Sequence, residues 1–227
     1  MKNKIGIIAV VLTAAYSGFS QGEVEFQNSS QTKISVNTQG APATFSAISG
    51  ANSYYFALFN SVTATTVAGV GSVAEIPTSA NPGSYAFSDP NWTLDGYGAS
   101  VSKAGTFAAT TVDAALFTQI PGQPQASQFV VIGWSANIGS TIASLQSFFA
   151  GTDAGVTSGF VGESVVSGSI TTGTAGSSSA PPALFATAAP YIQAFDLGEY
   201  TAVPEPSSIA LGVMGAASLL ALRRKKA

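Results

Sequence analysis

Between Gln21 and Val203 the chain carries only two basic residues, Lys33 and Lys103, against ten acids over roughly 180 positions. Charged residues make up 8% of the whole sequence, where ordinary soluble domains have about 25%. A helical bundle keeps its outer faces in water with charged side chains. A stretch this poor in charge and rich in Ser, Thr, Gly and Val is expected to form strands and turns, with hydroxyls wetting the surface. Its net charge is −8, two lysines against ten acids, while the whole chain carries −3. With no arginine and two lysines it cannot neutralise a run of phosphates, so nucleic acid is excluded as a partner.

The sequence holds no Cys and no His. Zinc sites built on those ligands, cysteine nucleophiles and histidine triads are therefore excluded, and packing alone must hold the fold. No cofactor is expected.

The other six basic residues cluster at the two ends. Lys2 and Lys4 precede an apolar stretch from Ile5 to Ala15, and Gly18 and Ser20 are small residues ahead of Gln21. Basic, apolar, then small is the order of a secretory signal peptide, assigned to residues 1–20. At the other end Val203-Pro204-Glu205-Pro206 is followed by Ser207-Ser208, an uncharged run from Ile209 to Leu222, and Arg223-Arg224-Lys225-Lys226. The two prolines forbid helix and favour an exposed, extended segment. Counted from Ser207 to Leu222, the apolar helix is sixteen residues, about 24 Å long. That is short of the ~30 Å hydrocarbon core and would need local thinning or snorkelling by Arg223 to span. The basic cluster would hold the far end in the cytoplasm.

Pro-Glu-Pro, an apolar helix and a basic cluster, in that order, resemble the PEP-CTERM sorting signal. The resemblance implies an exosortase as processing partner, membrane attachment through the C-terminal helix, and delivery to the cell surface or extracellular matrix, in a setting often associated with exopolysaccharide. The domain layout is then 1–20 signal peptide, 21–200 ectodomain and 201–227 sorting and anchor segment.

Within the ectodomain, alternating or apolar runs predict strands at Glu23–Asn28, Lys33–Asn37, Tyr54–Phe59, Thr106–Thr111, Gln128–Trp134, Gly159–Ile170 and Tyr191–Tyr200. Ser140 is expected to cap one short helix with Ile142, Leu145, Phe148 and Phe149 on one face and Gly151 as its stop. Asn81-Pro82-Gly83 and Pro121-Gly122-Gln123-Pro124 read as turns, and Thr171 to Pro182 as a low-complexity loop. The expected fold class is all-β, a single antiparallel β-sandwich of jelly-roll type with one short helix. Gln21 to Asn28 (Gln-Gly-x-Val-x-Phe-x-Asn), Phe129 to Ser135 (Phe-Val-Val-x-Gly-Trp-Ser) and Pro181-Pro182 also resemble a group of PEP-CTERM-tailed proteins of Verrucomicrobia-like bacteria. That group brings no catalytic residues.

Candidate sites are few. Trp92 and Tyr97, in a turn-rich segment, are the aromatic side chains placed for stacking on a glycan. Asp89, Asn91 and Asp95 supply hard oxygen ligands for calcium, although the spacing is not that of an EF-hand and turn chemistry explains the same residues. Glu23, Glu25, Glu163, Asp196 and Glu199 are the carboxylates a glycosidase would draw on. None stands in an acid/nucleophile context, and neither Lys33 nor Lys103 has a motif that would make it a base. The expectation is a non-enzymatic envelope protein, with a secreted carbohydrate-binding module as the alternative and a hydrolase third.

Overall fold

The computed structural model describes residues 22–38, 44–67, 85–109, 117–120, 125–152, 155–174 and 179–201. The signal segment, the turns at 81–83 and 121–124, and the sorting tail lie outside these. The described strands are β1 (Gly22–Glu25), β2 (Ser35–Thr38), β3 (Thr44–Ala47), β4 (Tyr54–Ser61), β5 (Thr93–Ser100), β6 (Phe107–Ala109), β7 (Phe117–Ile120), β8 (Ala126–Ser135), β9 (Ser158–Glu163), β10 (Ile170–Thr171), β11 (Gly173–Thr174) and β12 (Asp196–Thr201), with one α-helix, α1 (Ile142–Phe149). The described residues are thus mostly β with one short helix. Among the described residues no helix is long and apolar enough to cross a membrane.

Eight strands lie side by side in the order β3-β2-β12-β9-β8-β4-β5-β6, with β10 added along β8. All neighbours are antiparallel except β2 and β12. A second, three-stranded sheet runs β11-β1-β7. The large sheet curls until its two ends meet. The Ile34 N–H donates to Gly105 O at 3.0 Å, Gly105 N–H to Ile48 O at 2.7 Å, and Ile48 N–H to Ile34 O at 3.1 Å. Gly105 sits at φ +79, and the stem of Lys33 fills the space where a Cβ would point. Only glycine accepts that backbone at no steric cost. The pairing gives one dominant curled sheet and a small one, rather than two sheets of similar size.

Both faces of the central strands are covered, which is why β4 and β8 are nearly continuous apolar runs instead of alternating ones. Phe56 and Leu58 of β4 and Phe129 and Val131 of β8 face the inside of the curl, where Val24, Phe26, Ile34, Phe107, Leu184, Ile192 and Leu197 complete a first core. Ala57, Phe59, Val130, Ile132 and Trp134 face the other way, under α1 and the Tyr85–Ala86 turn, forming a second. Gly133 lets the first core close. A Cβ there would stand 2.7 Å from the Phe56 ring and 2.9 Å from Leu197.

The two loose sequence motifs have architectural roles here. Val24 and Phe26 are core residues, and the Asn28 side chain ties three segments. It donates to Thr32 O at 2.6 Å and Gly105 O at 2.9 Å, and accepts from Phe107 N–H at 2.8 Å. The Trp134 indole N–H donates to Gly139 O at 2.7 Å.

The helix starts one residue later than expected. Thr141, not Ser140, is the cap, its Oγ1 accepting the Ser144 N–H at 3.2 Å. Ile142, Leu145 and Phe148 are its buried face. It stops at Gly151, at φ +63, where Gly151 N–H reaches Phe148 O and Thr152 N–H reaches Ser147 O. These paired bonds satisfy carbonyls the ended helix leaves open. The run expected as one strand from Gly159 to Ile170 is two, β9 and β10. Between them Ser164 and Ser167 continue the ladder with their own atoms. Each accepts a β8 N–H on its hydroxyl (Val131 at 3.0 Å, Phe129 at 2.8 Å) and donates its own N–H to the same residue's carbonyl, at 2.9 and 2.8 Å.

Candidate functional site

The strand with the clearest functional consequence is β12. It is pinned on both sides, parallel to β2 through Asp196–Ser35 to Gly198–Asn37 and antiparallel to β9 through Gly198–Val161 to Thr201–Ser158. Its Tyr200 ring packs edge-on against Phe148 and Phe149 of α1, with centroids 5.4 and 5.0 Å away, and Phe149 stacks in turn on Tyr85 at 5.2 Å. Thr201, its last residue, is paired to Ser158, whose carbonyl accepts the Asn137 side-chain amide at 2.7 Å.

The aromatic site expected from sequence is not laid open. Trp92 is 6% exposed, packed in the second core with its indole N–H 3.3 Å from Thr66 O. The turn-rich look of its surroundings suggested a surface position, but the apolar ring is drawn under the sheet. Tyr97, on β5, is half-buried against the same core, and its hydroxyl is 3.4 Å from the Ile142 N–H at the start of α1.

The oxygen ligands do not converge either. Asp89 makes a turn, its Oδ1 accepting the Asn91 backbone N–H and side-chain amide, both at 2.9 Å. Asp95 lies where the β4–β5 register shifts beside Leu58 and Phe59. Its Oδ2 accepts the Asn60 amide at 2.6 Å, and its Oδ1 is buried with no hydrogen-bond partner. Asn60 follows Phe56 and Leu58 on the first-core face of β4, whereas the Asp89 turn leads into Trp92 in the second core. Burial pushes the Asp95 carboxyl up to about 7, and the Asn60 bond only partly offsets that. Among the described residues no group of three or more acidic side chains could hold a metal ion.

The remaining carboxylates lie on β1, β9 and β12, and Glu25, Glu163 and Asp196 are engaged locally. Glu25 accepts a hydrogen bond from Gln27. Glu163 is buried and accepts the Ala86 N–H at 2.8 Å. Asp196, at the start of β12, is raised by burial, with a bond from Ser35 opposing it. A surface groove of about 380 Å³, missed from sequence, runs between Gln27, Asn28 and Ser29 and the Val101–Ala108 turn. Only the fold joins these two segments, and the Asn28 amide that lines the groove is spent on holding the backbone.

Residues 202–225 match the family model of the PEP-CTERM protein-sorting motif. This chain carries a PEP-CTERM tail. The motif implies an exported protein targeted to an exosortase, attached to the membrane as a precursor before processing. It begins at the residue after β12 ends. Val203, Pro204, Glu205, Pro206, Arg223 and Arg224, with Lys225, are all inside the match; Lys226 falls just after it. No curated protein and no solved structure matches the chain.

Proposed function

We propose that this chain is an exosortase-sorted protein of the cell envelope or extracellular matrix whose β domain acts by its presence and surface rather than by catalysis. The observation that carries the reading is the sorting motif at 202–225, joined without a spacer to a strand in the interior of the sheet. Several of the described carboxylates are occupied with backbone N–H groups or neighbouring side chains, which supports the non-catalytic part. Residues 1–20 serve as the export signal, and the apolar run with Arg223–Lys226 holds the precursor in the membrane until processing. The association with exopolysaccharide belongs to the same reading. The carbohydrate-binding alternative is left with Tyr97, since Trp92 would have to leave the core.

The test is localisation. Deleting residues 202–227, or the host's exosortase, should move the protein out of its normal envelope or matrix fraction, read by fractionation and immunoblot. Identical fractionation in both strains would refute the sorting reading.

A further inference from the structure

Only seven residues, 202–208, separate the fold from the membrane segment. β12 ends at Thr201 and the apolar run begins at Ile209, eight residues later. At no more than ~3.6 Å per residue, that tether reaches about 29 Å even when fully extended. A domain of roughly 180 residues has a radius of gyration near 16 Å, hence a diameter of about 40 Å. The tether is shorter than the body it holds, so the domain cannot roll over to present its far side.

The exit point is also held: Thr201 is paired to Ser158 of β9 and Tyr200 packs against Phe148 and Phe149, while the β2 pairing secures the strand upstream as far as Gly198. We infer that the end of the fold formed by Thr201, Ser158, Asn137 and the Gly151–Thr152 stop of α1 is held against the lipid bilayer in the anchored precursor. This rests on the sorting reading above and adds which surface meets the membrane.

The chemistry of this end fits that partner. Residues 136–158 contain a single charged side chain, Asp153, in a domain of net charge −8. Thr201, Asn137 and Thr152 are exposed and neutral, and Glu199 is the described acid closest to the exit along β12. Asp196 is five residues back from Thr201, about 17 Å along the strand and some two Debye lengths away at physiological salt. Asp196 is therefore screened from an anionic surface at this end, and Glu199 is the one described β12 acid left within a Debye length of the exit.

The absence of native cysteine permits a clean test. Asn137→Cys marks the proposed face. Thr171→Cys, exposed on β10 opposite Ala126, lies nine residues along β8 from Ser135, about 30 Å off. Full-length chain carrying one fluorophore at either site is reconstituted in phosphatidylethanolamine/phosphatidylglycerol vesicles containing headgroup-nitroxide lipid. The expected result is several-fold stronger quenching at 137 than at 171. A 20-residue Gly/Ser insert after Thr201, adding about 25 Å of root-mean-square reach, should abolish the contrast. Equal quenching at both sites, stronger quenching at 171, no quenching at either in vesicle-bound protein, or a contrast that survives the insert would each overturn the inference. If the chain fails to float with the vesicles at all, the membrane-precursor reading itself falls, and flotation registers that separately.

Discussion

Asp95 should make the fold less stable as pH rises. Its carboxyl ordinarily titrates at 3.8 and burial lifts it to about 7, because the charged form would sit beside the β4–β5 bulge with one oxygen unpartnered. Below pH 3.8 the folded and unfolded chains both hold the proton, so nothing is lost. Between 3.8 and about 7 the folded state keeps a proton that the unfolded chain releases, and stability falls with each step in pH. Above 7 the loss levels off. At about 1.4 kcal/mol per pH unit, the full effect is about 4 kcal/mol, an upper bound because the site can relax or admit water. Asp95→Asn keeps the shape and removes the titration. Urea unfolding of a fragment spanning residues 22–201, followed by the fluorescence of the buried Trp92 and Trp134, measures both proteins from pH 4 to 8. Asp196 is also raised by burial and slopes the same way in both, so it cancels in the difference. The variant should match wild type near pH 4 and exceed it by roughly 2–4 kcal/mol at pH 8. A difference that stays within about 0.5 kcal/mol across the range would refute the argument that Asp95 is buried at a cost.

Two packing predictions follow from the cores. Phe148 is fully buried and holds Tyr200, so Phe148→Ala should lower unfolding stability by about 3–5 kcal/mol in the same assay, and a loss below ~1 kcal/mol would show that the second core does not depend on it. Gly133→Ala pushes a methyl into Phe56 and Leu197 and should cost about 1–3 kcal/mol with no change in net charge or surface; a neutral result would mean the first core yields at that point.

What sequence could show was set by how local the cause is. β4, β8 and α1 were legible because a run of neighbours such as Phe129 to Trp134, or the Ile142/Leu145/Phe148 spacing, carries its own signal. β5 was not. Thr93-Leu94-Asp95-Gly96-Tyr97-Gly98 looks like a loop by composition, since Asp and Gly disfavour strands. It becomes a strand because β4 offers it a ladder and because Gly98 leaves room for the Phe107 and Phe26 rings, 3.0 and 3.3 Å from where its Cβ would be. The bulge lets Asp95 reach Asn60 across the register shift, a pairing between residues 35 apart that no periodicity announces. Trp92 was misplaced for the same reason. Its neighbours Pro90, Asn91 and Asp95 are turn formers, but its ring belongs to a core that also holds Val130, Ile132 and the buried face of α1, which are distant in sequence. The sorting motif was legible because it is read as a linear segment.

The scarcity of charge that constrained the fold at the outset also explains how the sheet is held. With two cations in the ectodomain, ion pairs cannot staple irregular segments to it, so hydroxyls and amides do so. Ser164 and Ser167 continue the ladder between β9 and β10, Ser100 accepts the Ser53 and Tyr54 N–H groups and donates to Gly50 O, and Asn28 fastens the seam at Gly105. These are neutral bonds, insensitive to salt and worth about 1 kcal/mol each. A domain fastened this way can stay strongly acidic without spending its carboxylates on internal salt bridges. Removal of the tail, with four of the chain's eight basic residues, would leave that acidity on the released product. On the proposed function the two would act at different stages, the basic cluster holding the precursor in the membrane and the acidic body setting the surface of the processed protein.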